Sequence, residues 1–198
     1  YEIMPSLVGS EMCIRDSRRG DLDAAYALLE RALEIGLRFY PRFVADLEMK
    51  LAAIDLDRGS EGTARRRLAR AREQAERSGT PYTLAIADRL EGRLAARRGD
   101  VEGADRAFAA SLRCFQELGQ VVEAARTRLA WGRTLLNQQE GRARRLLQDA
   151  LETFEAAEAH PEAAEARRLL ARPRHRVRTP RGRRPRQPAQ VGHGGEGV

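Results

Sequence analysis

Between residues 18 and 171 the apolar positions recur at the three- and four-residue spacing of a single helix face. Ala24, Ala25, Leu28, Leu29, Ala32, Leu33 and Ile35 make one such face. Ala104, Phe108, Ser111, Leu112 and Phe115 repeat it, as do Ala143, Leu147, Ala150, Leu151 and Phe154. Ala64, Leu68 and Ala71 form a weaker copy. The spacing predicts helices over 22–38, 42–57, 61–77, 82–97, 101–117, 121–137, 140–157 and 161–171.

Turn residues punctuate this rhythm at a fixed interval. Pro41, Pro81 and Pro161 share a register of 40 residues, with Val121 in the remaining slot. Gly59 and Gly99 share it, as do Gly79 and Gly119, with Gly20 one residue off. Recurrence at such a period signals a repeat architecture. Each landmark has a mechanical role. Proline is tolerated at the first helical position, where its missing N–H costs nothing. A glycine just past a helix end supplies a left-handed closing turn. Asp21, Ser60, Thr80 and Asp100 precede predicted helices, where a side-chain oxygen can cap. Each period therefore reads as helix, tight turn, helix. On this reading Arg19-Gly20-Asp21 and Arg98-Gly99-Asp100 are cap sequences, although they spell an adhesion tripeptide.

Within the periods a small residue is followed, about twelve positions later, by Ala–x3–Phe/Leu–x2–Ala/Ser. Ala52 leads to Ala64, Leu68 and Ala71; Gly92 leads to Ala104, Phe108 and Ser111; Trp131 or Gly132 leads to Ala143, Leu147 and Ala150. Over 18–171 this order resembles the tetratricopeptide repeat, with a period near 40 in place of 34. The stretches ARTRLAWGRTLL and ALETFEAAEAH resemble the C-terminal repeat regions of LuxR-type regulators and of bacterial proteins pairing an ATPase with a nucleotide cyclase. The resemblance implies an all-α fold, a right-handed superhelical stack of antiparallel helix hairpins. It also implies a concave surface lined by the first helix of each pair, with Arg89, Arg93, Arg126 and Arg133 facing a partner. Arginines so placed could hold an acidic peptide or a carboxylate; the alternative is ordinary surface charge. Stacked hairpins shield one another, so the outer face of the helix at 22–38 is expected to be bare.

The opening residues, YEIMPSLVGSEMCIRDS, break the rhythm and do not begin with Met. Read back into codons, 1–17 resemble a translated sequencing-library adapter: a flow-cell sequence, an index and a transposase mosaic end. That resemblance implies a disordered artefact to be set aside. It also implies a native chain starting near Arg18 as a fragment of a larger protein. The alternative is an irregular native segment.

Composition narrows the chemistry. With Cys13 assigned to residues 1–17, Cys114 is left alone, so neither a disulfide nor a cysteine metal cluster is expected. Beside Phe115 it reads as a small buried hydrophobe, and Trp131 reads as core. His160, His175 and His193 form no ligand pair, and there is neither a phosphate-binding GxxxxGK loop nor a G-x-S-x-G elbow. Carboxylates such as Glu30, Glu34 and Asp46 read as a solvated face or as helix partners of arginine. No catalytic constellation, cofactor site or metal site emerges, so an enzyme is not expected. No apolar run approaches a membrane span.

The net charge is +7, but residues 172–198 alone carry +7 while 18–171 carry +2. That tail, ARPRHRVRTPRGRRPRQPAQVGHGGEGV with Ala171, cannot pack a core and is expected to be disordered. It reads as a frame-shifted GC-rich stretch, as an inert extension or, less favoured, as a nucleic-acid-binding arm. The arm has no aromatic residue for base stacking. The expected function is a cytoplasmic protein–protein interaction scaffold within a larger bacterial signalling or transcriptional regulator. Its partner would be a protein, a peptide or another domain of the parent chain. The alternative is a nucleic-acid-associated protein using the tail.

Overall fold

The computed structural model describes residues 22–40 and 43–173. Among these the chain is all helix and turn: α1 (Leu22–Phe39), α2 (Val44–Asp57), α3 (Glu61–Ser78), α4 (Pro81–Arg97), α5 (Val101–Glu117), α6 (Val121–Leu135), α7 (Glu140–Ala156) and α8 (His160–Leu170). The boundaries fall within two residues of those expected. Residues 1–17, Asp21, Pro41, His175, His193 and the tail beyond Pro173 lie outside the described residues.

Sharp turns set the connections. Gly59, Gly79, Gly99 and Gly119 all have positive φ, between 61° and 81°. After α4 the Gly99 N–H donates to the Ala96 carbonyl and the Asp100 N–H to the Ala95 carbonyl, at 3.1 and 3.0 Å. Those two bonds close the helix end in the pattern that a left-handed residue permits. After α7 the same place is held by Glu158, at φ 53°. The N-terminal caps differ from expectation. Asp100 caps α5, accepting from the Gly103 N–H at 2.8 Å. Thr80 and Ser60 make no side-chain cap. The Thr80 hydroxyl instead pairs with that of Ser78 at 2.6 Å.

Consecutive helices pair as antiparallel hairpins, α2 with α3, α4 with α5 and α6 with α7. The hairpins stack in chain order. One row is α2, α4, α6 and α8, each packed against the next; α1, α3, α5 and α7 form the second layer. The core accordingly runs as a series of clusters along the stack, from Leu29, Leu47 and Ile54 at one end to Leu147, Phe154 and Leu169 at the other.

Close approach within each hairpin depends on small residues. A Cβ added at Gly92 would lie 2.9 Å from the Phe108 ring. One added at Gly132 would lie 2.8 Å from Leu147 Cγ and 3.1 Å from the Ala143 carbonyl. Gly132 thus fills the small position, and its neighbour Trp131 stacks on Phe108 with centroids 5.9 Å apart. Burying such large side chains stabilises by ~1.5–3 kcal/mol each. At the N-terminal end, Leu28, Ile35, Leu37 and Phe39 of α1 are exposed, as the repeat logic anticipated.

A buried arginine ties the first three helices together. Arg67 of α3 donates to Asp55 and Glu48 of α2 at 3.1 and 2.9 Å. It also donates to Tyr26 and Glu30 of α1 at 3.0 and 2.8 Å. Burial alone would lower its pKa, but the bonds to Glu48 and Tyr26 outweigh that and hold it above the usual range. No helix among the described residues is long and apolar enough to cross a membrane.

Two substitutions probe these contacts by urea unfolding. Gly92→Leu drives a side chain into the Phe108 ring and should cost about 1–3 kcal/mol. Arg67→Ala takes the arginine from buried Asp55 and leaves Glu48 with Arg70, and should cost about 3–5 kcal/mol. Wild-type midpoints in either variant would remove the corresponding contact from the account.

Candidate functional site

The row α2, α4, α6, α8 presents an open cleft of about 250 Å3. Each helix contributes because the 40-residue period returns the same face to the same side. Met49, Ile86, Leu90 and Leu129 make its apolar floor, and Lys50, Arg89, Arg93 and Arg126 enter from the polar side. Asp46 also lines it and accepts a hydrogen bond from the Thr83 hydroxyl at 2.7 Å.

Three of the four arginines expected to face a partner therefore reach one cleft: Arg89, Arg93 and Arg126. Arg133 lies outside its lining and pairs with Glu165 of α8 at 3.3 Å. All four are engaged with carboxylates of a neighbouring hairpin. Arg89 of α4 donates to the Glu123 carboxylate of α6 at 2.7 Å and to its backbone carbonyl at 3.2 Å. Arg126 of α6 donates to Glu162 of α8 at 2.9 Å and to Glu123. Arg93 of α4 pairs with Asp57 at the end of α2. The arrangement is a charge ladder, cation and carboxylate alternating along the row.

Burial would raise the Glu123 pKa, but Arg89 and Arg126 outweigh it, and the carboxyl stays below its usual range. Arg126 is shifted upward, its burial more than offset by Glu123 and Glu162. Arg93 moves the other way. Burial depresses its pKa, Asp57 restores only part, and Arg133 and Arg97 add like charge. Arg93 is the rung of the ladder with the weakest compensation.

Trp131, Cys114 and His160 lie outside the cleft lining. Trp131 donates its indole N–H to Asp105 at 2.7 Å, with Arg142 stacked 4.5 Å above the ring. Cys114, expected to be buried, is half-buried: it sits on the flank of α5 with Sγ 3.5 Å from the Pro81 carbonyl. Burial, with Glu117 and Asp88 nearby, pushes its thiol up, away from the reactive thiolate. His160 opens α8 and is exposed. No group of three or more His, Cys, Asp or Glu among the described residues could hold a metal.

Sequence reasoning missed the apolar floor and the acidic partners. A signal for the partners exists. Arg89–Glu123 and Arg126–Glu162 are separated by 34 and 36 residues. That is one period less one to two helical turns, which brings two neighbouring helices of a row face to face. No protein-family model matches the chain, and no curated protein matches it.

The folded-state pKa of Glu123 lies below its unfolded value of about 4.3. The stabilisation from its ionised form is therefore present above that value and is lost as the pH falls through the folded one. Glu123→Gln should unfold more easily than wild type at pH 7, and the gap should shrink by pH 3. A gap of constant size between pH 7 and pH 3 would contradict the ladder.

Proposed function

We propose that the chain is a protein–protein interaction scaffold whose first-helix row binds a segment of a partner protein. The observation that carries this reading is the cleft across α2, α4, α6 and α8, open to solvent with an apolar floor and charged walls. Binding sites are concave, mostly apolar and equipped with a few fixed polar groups. The charged groups here bond to one another and none is arranged as nucleophile and base, which favours docking over catalysis.

The stacked hairpins, the small-on-large contacts at Gly92 and Gly132 and the period near 40 support a tetratricopeptide-like array. On that reading the array is the repeat region of a larger bacterial signalling or transcriptional regulator, acting in the cytoplasm. It would hold a partner protein or another domain of the parent chain.

Filling the cleft tests this. Ala53→Trp places a large ring over its floor, and Arg93→Glu reverses the least compensated cation. Arg106→Ala, on the exposed side of α5, serves as control. Proteins cross-linked to the full chain and identified by mass spectrometry should be lost with the first two and kept with the third. An identical set of partners in all three variants rules the cleft out as the docking site.

A further inference from the structure

The charges that line the cleft do not balance among themselves. Lys50, Arg89, Arg93 and Arg126 bring four positive charges, against three negative ones from Asp46, Glu123 and Glu162. The carboxylate that answers the fourth is Asp57, which is outside the lining and reaches Arg93 from the last position of α2. The arginines also differ in how far their donors are used. Arg126 engages Nε, Nη1 and Nη2. Arg89 has Nη1 fixed on the carboxylate and carbonyl of buried Glu123, and its guanidinium lies 5.4 Å over the Phe115 ring. Arg93 engages only Nη2, with Asp57; its Nε and Nη1 have no acceptor among the described residues. The Arg93 side chain is 14% exposed, against 47% for Asp57. A guanidinium so far out of water, with two idle nitrogens and the like charge of Arg97 and Arg133 nearby, gains from a second anion.

We propose that the partner segment is held by one internal aspartate or glutamate side chain on Arg93, with aliphatic residues on both sides of it, and that Asp57 is a built-in competitor that sets how tightly it binds. This rests on the reading of the cleft as a docking site. A single acid matches the single excess charge of the lining, which a phosphorylated side chain, with about two negative charges at neutral pH, would overshoot. The aliphatic neighbours follow from the floor, which extends to both sides of α4: Met49 comes from α2 and Leu129 from α6. A chain end placed on Arg93 would cover one side only. The incoming carboxylate takes the idle nitrogens. Whether Asp57 then turns outward or stays, its negative charge works against the ligand.

Short random peptides displayed on phage and selected on the full 198-residue chain test this. The enriched sequences should carry one aspartate or glutamate between aliphatic residues. The best of them, labelled with fluorescein, should bind saturably by anisotropy and lose at least about tenfold in affinity when its acid is changed to the amide. Asp57→Asn leaves the lining untouched and should tighten the acidic peptide by about threefold while the amide peptide is unaffected. A gain of this kind cannot come from damage to the fold. Arg93→Gln should remove the preference for acid over amide. Selected peptides that are lost with Ala53→Trp, yet show no preference for the acid or bind Asp57→Asn no more tightly, overturn this inference and leave the docking cleft standing. If no selected peptide is lost with Ala53→Trp, the inference and the docking cleft fall together.

Discussion

A hairpin of two helices here has apolar residues on more sides than its one internal contact can cover, and the rest of the structure follows from that. The internal contact is made as short as the backbone permits. Gly92 lies under the Phe108 ring, and Gly132 under Leu147 and the Ala143 carbonyl, where even a methyl group would collide. Drawing the helices so close leaves the remaining apolar residues along the hairpin edge, and only the next hairpin can cover them. Stability is then approximately a sum of neighbour terms, and the two ends of the stack need not be alike. The α8 end turns Arg167 and Arg168 to solvent. The α1 end turns out leucine, isoleucine and phenylalanine.

Charge is the second device, and it depends on arginine. Arg67 uses Nε, Nη1 and Nη2 to reach four acceptors on two helices, with Glu48 and Asp55 among the buried ones. An ammonium group has neither the reach nor the planar fork for that. Arg89 and Arg126 do the equivalent further along, each holding the carboxylate of the following first-row helix. Exposed pairs such as Arg106–Glu102 and Arg77–Glu73 contribute ~0–1 kcal/mol at most. The pairs with buried carboxylates matter more, because opening one removes compensation from a charge that is out of water. They fix how neighbouring hairpins sit and thereby hold the cleft in shape.

Local rules wrote the fold plainly enough to be read from the chain. Four glycines at regular spacing required left-handed turns, and the apolar faces between them required helices, so boundaries and pairing were legible. Where a local rule had a competitor it failed. Thr80 bonds to Ser78 instead of capping, and after α7 Glu158, not a glycine, takes the left-handed turn. The cleft was half legible. Its arginines stand out in sequence, but their partners lie on the next hairpin, and nothing local distinguishes Glu123 or Glu162 from other glutamates. The floor of Met49, Ile86, Leu90 and Leu129 gave no signal, because these residues look like every other apolar residue on a packed helix.

The ladder's rungs differ in how readily they would open to an incoming charge. Glu123 and Glu162 have side chains only 9% and 8% exposed. A partner that drew Arg89 or Arg126 away would take a cation from a carboxylate that is out of water, at a cost of several kcal/mol. Asp57, which holds Arg93, is about half in water at the end of α2 and can turn outward with its hydration nearly intact. Arg93 would stay behind, little exposed, beside the positive charge of Arg133 and Arg97. An anionic group entering the cleft thus meets least resistance at Arg93. Arg89–Glu123 and Arg126–Glu162 stay closed and keep the first-row helices in register while the exchange takes place.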